Sequence, residues 1–171
     1  PRVTLFARAD ASALVKLREL LNKEAERLGR PPVSFNDILV KIVALQLKRH
    51  PYMNARFSPD EVVEQVTEVN IGIAVHTPRG LLVPVIKNAD GKTLWQIAEE
   101  SRSLEQAARG GTISPADLEG GTFTITNLGM YGVEFFTPII NPPECAILGV
   151  GIIQEMPVVV NGRVLSRPTL P

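Results

Sequence analysis

The stretch that decides the fold is Gly-Gly-Thr-Phe-Thr-Ile-Thr-Asn-Leu-Gly-Met at residues 120–130. Threonines that alternate with Phe and Ile are typical of a strand with one face in the core. A polar, glycine-containing turn follows, so the strand would deliver the hydroxyl of Thr126 and the amide of Asn127 to a reaction centre. Taken alone, the same threonines also fit hydroxyls that simply pair with neighbouring strands.

The composition is that of one globular domain. The chain has 171 residues, 44% of them hydrophobic, with no net charge and one cysteine. Zero net charge argues against a nucleic-acid partner, and no apolar run is long enough to span a membrane. A single cysteine excludes an internal disulfide framework and fits a reducing compartment, so we expect a cytoplasmic protein.

Outward from residues 120–130, apolar alternation predicts further strands at residues 2–9, 62–69, 71–76, 81–87 and 145–153, with a hairpin over 158–165 at Asn161-Gly162. Pro84 cannot donate to a ladder, which places its strand at an edge or a bulge. Hairpin-linked strands mixed with helices favour an α/β or α+β two-layer sandwich rather than a doubly wound sheet.

Three helices are predicted from their end signals. The first starts at an Asp10 N-cap and stops at Gly29, and the second opens with a Ser34/Asp37 capping box. Residues 38–47 are apolar nearly all round, which is typical of a core helix. The third helix opens with Thr93 and Gln96 and stops at Gly110-Gly111.

Few residues support other chemistries. Two isolated histidines and one cysteine do not form a metal site, and no Gly-x-Ser-x-Gly elbow is present. Cys145 is predicted to be a small buried apolar side chain, and His50 to lie at a helix end. His76 closes a strand before a turn, where it could serve the structure or face a substrate.

Six motifs, in order along nearly the whole chain, resemble the catalytic domain of the dihydrolipoyl acyltransferase component of 2-oxoacid dehydrogenase complexes. They are Val-Thr-Leu-Phe-Ala-Arg-Ala-Asp at 3–10, His-Pro-Tyr-Met-Asn-Ala at 50–55, Asn-Ile-Gly-Ile-Ala-Val at 70–75, Gly-Leu-Leu-Val-Pro-Val-Ile at 80–86, the 120–129 stretch, and Ile-Ile-Asn-Pro-Pro-Glu at 139–144. The sequences around residues 129–132 and 140–143 look most like the pyruvate dehydrogenase type, whose acyl group is acetyl.

The resemblance implies a chloramphenicol-acetyltransferase-like fold, with a mixed sheet and flanking helices. It implies a homotrimer with active sites between subunits, assembled into a cubic or dodecahedral core. Coenzyme A would be a substrate, the lipoyl group would come from a separate domain, and no metal would take part. Lipoyl domains and the other components of the complex would be the partners, with no nucleic acid or membrane.

The resemblance also implies roles for individual residues. Thr126 matches the family hydroxyl that donates to the tetrahedral oxyanion, a contact worth about 3 kcal/mol in such reactions. Asn127 and Gly129 would shape the thioester pocket, and His76 would line the substrate channel. Arg79 and Lys87 would either contact coenzyme A phosphates or serve as ordinary surface charges.

One part of the family pattern is missing. The family's general base lies in an Asp-His-Arg-x-x-Asp-Gly motif, which does not occur in the 171 residues. We therefore expect residues 1–171 to be an acyltransferase catalytic domain that lacks the C-terminal strand and helix bearing this motif, and to be inactive alone. Two alternatives are a non-catalytic, core-forming pseudo-enzyme subunit and a stand-alone small-molecule acetyltransferase. The motif downstream, or lipoyl domains upstream, would separate these alternatives.

Overall fold

A computed structural model describes residues 3–58, 60 and 62–171. Its helices are α1 (Ser12–Arg27), α2 (Phe35–Arg49) and α3 (Leu94–Gly110), with 3-10 turns at Pro51–Met53, Pro115–Asp117 and Gly129–Tyr131. Within this described part, no helix is long and apolar enough to cross a membrane.

The strands of the described residues contain two to eight residues and belong to four sheets. They are β1 (Ala9–Asp10), β2 (Ala55–Phe57), β3 (Val63–Gln65), β4 (Ile71–Ile73), β5 (Val75–Thr77), β6 (Gly80–Leu82), β7 (Val85–Ile86), β8 (Phe123–Asn127), β9 (Ile147–Val150), β10 (Gln154–Val160) and β11 (Arg163–Leu170). The central sheet has the order β7-β4-β8-β9, the outer sheet the order β1-β11-β10, and β2-β3 and β5-β6 form two-stranded ribbons.

The central sheet is mixed, which agrees with the fold that the resemblance implies. Strand β8 lies parallel to both β4 and β9, whereas β7 is antiparallel to β4. Helix α3 and its flanking loops connect β7 to β8. Because β7 occupies one edge, Pro84 just before it needs no ladder partner for its nitrogen, and its carbonyl accepts from the Ile73 N–H at 2.8 Å.

The predicted helix ends are confirmed with one shift. Ser34 with Asp37, and Thr93 with Gln96, form complete capping boxes, and Gly111 ends α3 in the left-handed conformation at φ 71°. The N-cap of α1 is Ala11 rather than Asp10. Asp10 still accepts the Ser12 N–H at 2.8 Å, and hydrogen bonding with Ser12 lowers the pKa of this carboxyl.

The main core lies between the central sheet and the helices α2 and α3. Its fully buried members include Val40, Ile71, Ile97 and Ile125. The prediction that residues 38–47 are buried all round is wrong, because Ile42 and Leu45 are 44% and 45% exposed. One face of α2 therefore remains apolar and uncovered among the described residues.

Several predicted strands are shorter than expected. Strand β1 contains only Ala9–Asp10, residues 3–8 form no regular structure, and residue 2 lies outside the described residues. The predicted strand over 62–69 is reduced to β3, and the strand over 145–153 to β9. The hairpin is confirmed: β10 and β11 turn at Asn161 and Gly162, both with positive φ.

Candidate active site

Thr126 lies on the face of the central sheet that points away from the helices. Ile125 on the same strand belongs to the main core, whereas Thr124 faces the opposite side and donates its hydroxyl to Glu144. Side chains alternate along a strand, so Thr126 shares the face of Thr124. It is half-buried, and its hydroxyl makes no hydrogen bond within the described residues.

The residues beside Thr126 on the neighbouring strands are small. Its register partner on β9 is Gly149, and the Ala74 N–H donates to the Ile125 carbonyl at 3.0 Å, which brings Ala74 alongside on the other flank. A Cβ at Gly149 would lie 3.1 Å from Phe136 Cζ and 3.3 Å from Pro138 Cγ. The loop with Phe136 and Pro138 therefore covers this face beside Thr126.

A buried carboxyl lies farther along the same face. Glu144 accepts the Thr124 hydroxyl at 2.6 Å and the Asn141 side-chain amide at 3.4 Å. Burial raises the pKa of Glu144, against the opposing effects of these two hydrogen bonds and of Arg56. The arrangement therefore holds the carboxyl closer to its neutral form than a surface glutamate.

Asn127 and Gly129 lie on the other face, apart from Thr126. The Asn127 amide donates to Asn36 Oδ1 at 2.7 Å, and its oxygen accepts the Gly129 N–H at 2.8 Å. Both residues line a cavity of about 490 Å³ with Asn36 and Leu39 of α2. A Cβ at Gly129 would lie 2.6 Å from the Gly151 carbonyl oxygen, so close backbone packing requires glycine there. Their role in substrate binding stays a prediction.

His76 is brought near neither of these groups. It lies in the middle of β5, is exposed, and pairs in register with Leu81 of β6. His50 is the exposed C-cap of α2, as expected for a helix-end histidine. Within the described part of the chain, neither imidazole makes a side-chain hydrogen bond. The substrate-facing role of His76 also stays a prediction.

The remaining candidates have ordinary structural contacts. Cys145 is half-buried and its thiol donates to the Met53 carbonyl at 3.3 Å, which differs from the full burial expected of it. Lys87 donates to the Ala116 carbonyl at 2.9 Å, and Arg79 is exposed beside Gly111. No group of three or more His, Cys, Asp or Glu residues that could hold a metal ion occurs among the residues described.

The sequence predictions missed Thr124, Glu144 and Gly149. Glu144 follows Pro142-Pro143, where a glutamate is expected to be exposed, so nothing local indicated its burial. A signal existed for Gly149, because a glycine inside a strand often marks close approach of another chain segment. Its partner on β8 is known only once the register of the sheet is known.

The whole chain matches one protein family. The sequence model for the "2-oxoacid dehydrogenases acyltransferase (catalytic domain)" matches residues 1–171. The chain is 40% identical, over 99% of its length, to the dihydrolipoyllysine-residue acetyltransferase component of the Bacillus subtilis pyruvate dehydrogenase complex, and covers 38% of that protein. It is 38% identical, over 98% of its length, to the succinyltransferase component of the Haemophilus influenzae 2-oxoglutarate dehydrogenase complex, and covers 41% of it. The chain thus spans about two fifths of the length of these curated relatives.

Solved structures agree on the fold. The dihydrolipoamide acetyltransferase of Azotobacter vinelandii superimposes with a TM-score of 0.95 at 38% identity, over 99% of this chain and 70% of that one. The cubic core of a pyruvate dehydrogenase multienzyme complex gives 0.93 at 38% identity, over 98% and 69%. A chloramphenicol acetyltransferase gives 0.51 at 14% identity, over 96% and 75%, which shows the shared fold alone. The chain therefore belongs to the 2-oxoacid dehydrogenase acyltransferase family and has its chloramphenicol-acetyltransferase-like fold.

Proposed function

We propose that this chain carries the transfer of an acetyl group between dihydrolipoyl-lysine and coenzyme A in a 2-oxoacid dehydrogenase complex. The observation that carries the proposal is the Thr126 hydroxyl, which is half-buried, free of hydrogen bonds within the described residues, and flanked by Ala74 and Gly149. A hydroxyl that is held on a strand and has no hydrogen-bond partner among the described residues suits a charge that exists only during the reaction.

The chemistry needs one base and one oxyanion donor. The base removes the proton of the coenzyme A thiol, and the sulfur attacks the carbonyl carbon of the acyl-dihydrolipoyl thioester. The carbonyl π electrons move to oxygen, and Thr126 donates its hydroxyl to the resulting oxyanion. When the carbonyl reforms, the bond to the lipoyl sulfur breaks, and that sulfur takes the proton from the base.

We infer that neither histidine of residues 1–171 supplies the base. His50 caps α2 and His76 lies in the exposed β5–β6 ribbon, and neither is oriented by a hydrogen bond within the described residues. The Asp-His-Arg-x-x-Asp-Gly motif of the family does not occur in residues 1–171. We therefore expect a polypeptide of only these residues to have no turnover.

The choice of acetyl rests on the sequence around residues 129–132 and 140–143, which resembles the pyruvate dehydrogenase type. Identity to an acetyltransferase and to a succinyltransferase component is nearly equal, at 40% and 38%. The identity of the acyl group is therefore the part of the proposal that most needs a direct assay.

The proposed partners are two further copies of the chain in a trimer, a larger core, lipoyl domains and the other components of the complex. Support comes from the likeness to a cubic core, together with exposed apolar side chains at Val3, Leu5, Tyr52 and Ile139. Large exposed apolar side chains are typical of surfaces that bury against a partner. The single cysteine, Cys145, fits a protein of the cytoplasm.

A direct assay compares acyl donors in the full-length protein that carries this chain. Acetyl-CoA and succinyl-CoA are offered separately with free dihydrolipoamide, and the acylated product is quantified. The proposal predicts a kcat/KM at least about tenfold higher for acetyl, the size expected when a pocket excludes a larger charged group. A preference for succinyl would refute the acetyl assignment, and no transfer from either donor would favour the non-catalytic alternative.

A further inference from the structure

Glu144 is a buried carboxyl without a nearby ion pair. It is 5% exposed, and the salt bridges among the described residues do not include it. Arg56 approaches but directs its guanidinium to the carbonyls of Gly120 and Gly121, at 2.7 and 3.1 Å. Burial of a carboxyl that forms no salt bridge costs stability, so its presence calls for a specific role.

The carboxyl occupies a fitted position. Its two oxygens accept from Thr124 and Asn141, at 2.6 and 3.4 Å. A Cβ at Gly121 would lie 2.6 Å from Glu144 Oε1, so the absence of a side chain there provides the space. Contacts with Thr124, Asn141 and Gly121 thus restrain the position of the carboxyl. The carboxyl in turn restrains the Thr124 hydroxyl that donates to it.

Thr124 connects this carboxyl to the reaction face. Thr124 and Thr126 are two residues apart on one face of β8, a separation of about 6.6 Å along a strand. Glu144 also lies three residues before β9, whose Gly149 is the register partner of Thr126. The hydrogen bond from Thr124 to Glu144 therefore connects β8 to the segment just before β9, two residues along β8 from Thr126.

We propose that Glu144 is a positioning residue, which fixes the Thr126 hydroxyl through Thr124 and through the spacing of β8 and β9. The inference rests on the proposed role of Thr126 as oxyanion donor. Glu144 contacts Thr124 rather than Thr126, so the role assigned to it is positioning and not contact with substrate. Burial raises the pKa of this carboxyl and so favours its neutral form. Glutamine has nearly the same shape as that neutral form and is therefore its closest uncharged replacement.

The experiment is a double-mutant cycle in the full-length protein. Acetyl transfer from acetyl-CoA to dihydrolipoamide is measured at saturating concentrations of both substrates for wild type, E144A, T126V and E144A/T126V. We expect E144A to lower kcat about tenfold or more while KM for each substrate changes by less than about twofold. In the T126V background, E144A should lower the remaining rate by less than about twofold, because the group that it positions is gone.

E144Q and T124V complete the test. E144Q keeps an acceptor oxygen for Thr124 and should retain activity within about threefold of wild type. T124V removes the donor while keeping nearly the same shape, and should lower kcat as E144A does. If E144A does not assemble, as judged by sedimentation and circular dichroism, T124V replaces it in the cycle.

The outcomes separate the two proposals. E144A or T124V could lower kcat by the same factor in wild type and in T126V. That result would show a merely structural role and would overturn the positioning inference, while the oxyanion role of Thr126 would stand. Unchanged kcat in both E144A and T124V would overturn it as well. Unchanged turnover in T126V itself would refute the oxyanion role on which the inference rests.

Discussion

Thr126 and Gly149 are register partners on the parallel strands β8 and β9, and they face the same side of the central sheet. Phe136 and Pro138 occupy the space that a side chain at Gly149 would need, so the covering loop packs closely on this face. Thr126 itself is half-buried, and its hydroxyl has no hydrogen-bond partner within the described residues.

Replacing Gly149 with alanine should crowd the loop that covers this face of the central sheet. The added methyl would lie 3.1 Å from Phe136 and 3.3 Å from Pro138, so the covering loop must move. We expect G149A to lose about 1–3 kcal/mol of unfolding free energy, the usual cost of overpacking. Urea unfolding followed by circular dichroism measures this loss. G91A is the matched control, because a Cβ at Gly91 meets only the Asn88 carbonyl oxygen, at 3.7 Å. Equal stability of G149A and wild type would contradict this account of the packing at Gly149.

The side chain of Asn127 joins the end of β8 to the start of α2. N127A removes the bond to Asn36 and the bond from the Gly129 N–H, and should cost about 1–3 kcal/mol. A cycle with N36A separates the two contacts, since N36A removes only the first. Strict additivity of the two substitutions would show that the Asn36–Asn127 bond contributes nothing to stability.

The buried Glu144 predicts a pH dependence of stability. Its folded-state pKa lies above 4.5, the ordinary value, because burial disfavours the ionised form. The folded protein thus holds this proton more tightly than the unfolded chain does. The stability from this group is fully present below pH 4.5 and is lost as pH rises through the folded-state pKa.

E144Q cannot ionise, so its Tm minus that of wild type should become more positive between pH 4 and pH 8. Thermal unfolding across this range measures the difference, and E119Q at an exposed position shows the background effect of removing a carboxylate. A difference that falls with rising pH would mean that Glu144 is stabilised as the anion instead.

The capping box of α3 gives a purely local prediction. Thr93 accepts the Gln96 N–H at 3.3 Å, and T93A should lower the unfolding free energy by about 1 kcal/mol. S103A, at an exposed position within the same helix, is the matched control and should change stability by less than about 0.5 kcal/mol. The midpoint of unfolding in urea measures the stability of both variants. Equal losses of stability in T93A and S103A would rule out a contribution from the cap.

Features that depend on a few adjacent residues were predicted well. The capping boxes at Ser34 and Thr93, the turn at Asn161-Gly162 and the strand that carries Thr126 are all encoded within about six residues. Each of these is specified by local hydrogen bonding or by alternation, so no knowledge of the rest of the chain was needed.

Features that depend on distant partners were not predictable. The burial of Glu144 requires that Thr124 and Gly121 lie next to it in the fold. Both residues are at least twenty positions away from it in the sequence. The opposite faces of Thr126 and Asn127 follow from the alternation of β8, but the contact of Asn127 with α2 requires the packed fold. Likewise, the all-round apolar pattern of α2 cannot show that Ile42 and Leu45 remain uncovered.

The most direct test of the oxyanion role is a single-turnover comparison of T126V and T126S in the full-length protein. Rapid-quench measurement of acetyl transfer isolates the chemical step from product release. The account predicts that T126V is slower than wild type by about 100-fold or more, whereas T126S, which keeps the hydroxyl, remains within about threefold. A T126V rate within about threefold of wild type would contradict it, because an oxyanion that needs no hydroxyl at this position cannot depend on Thr126.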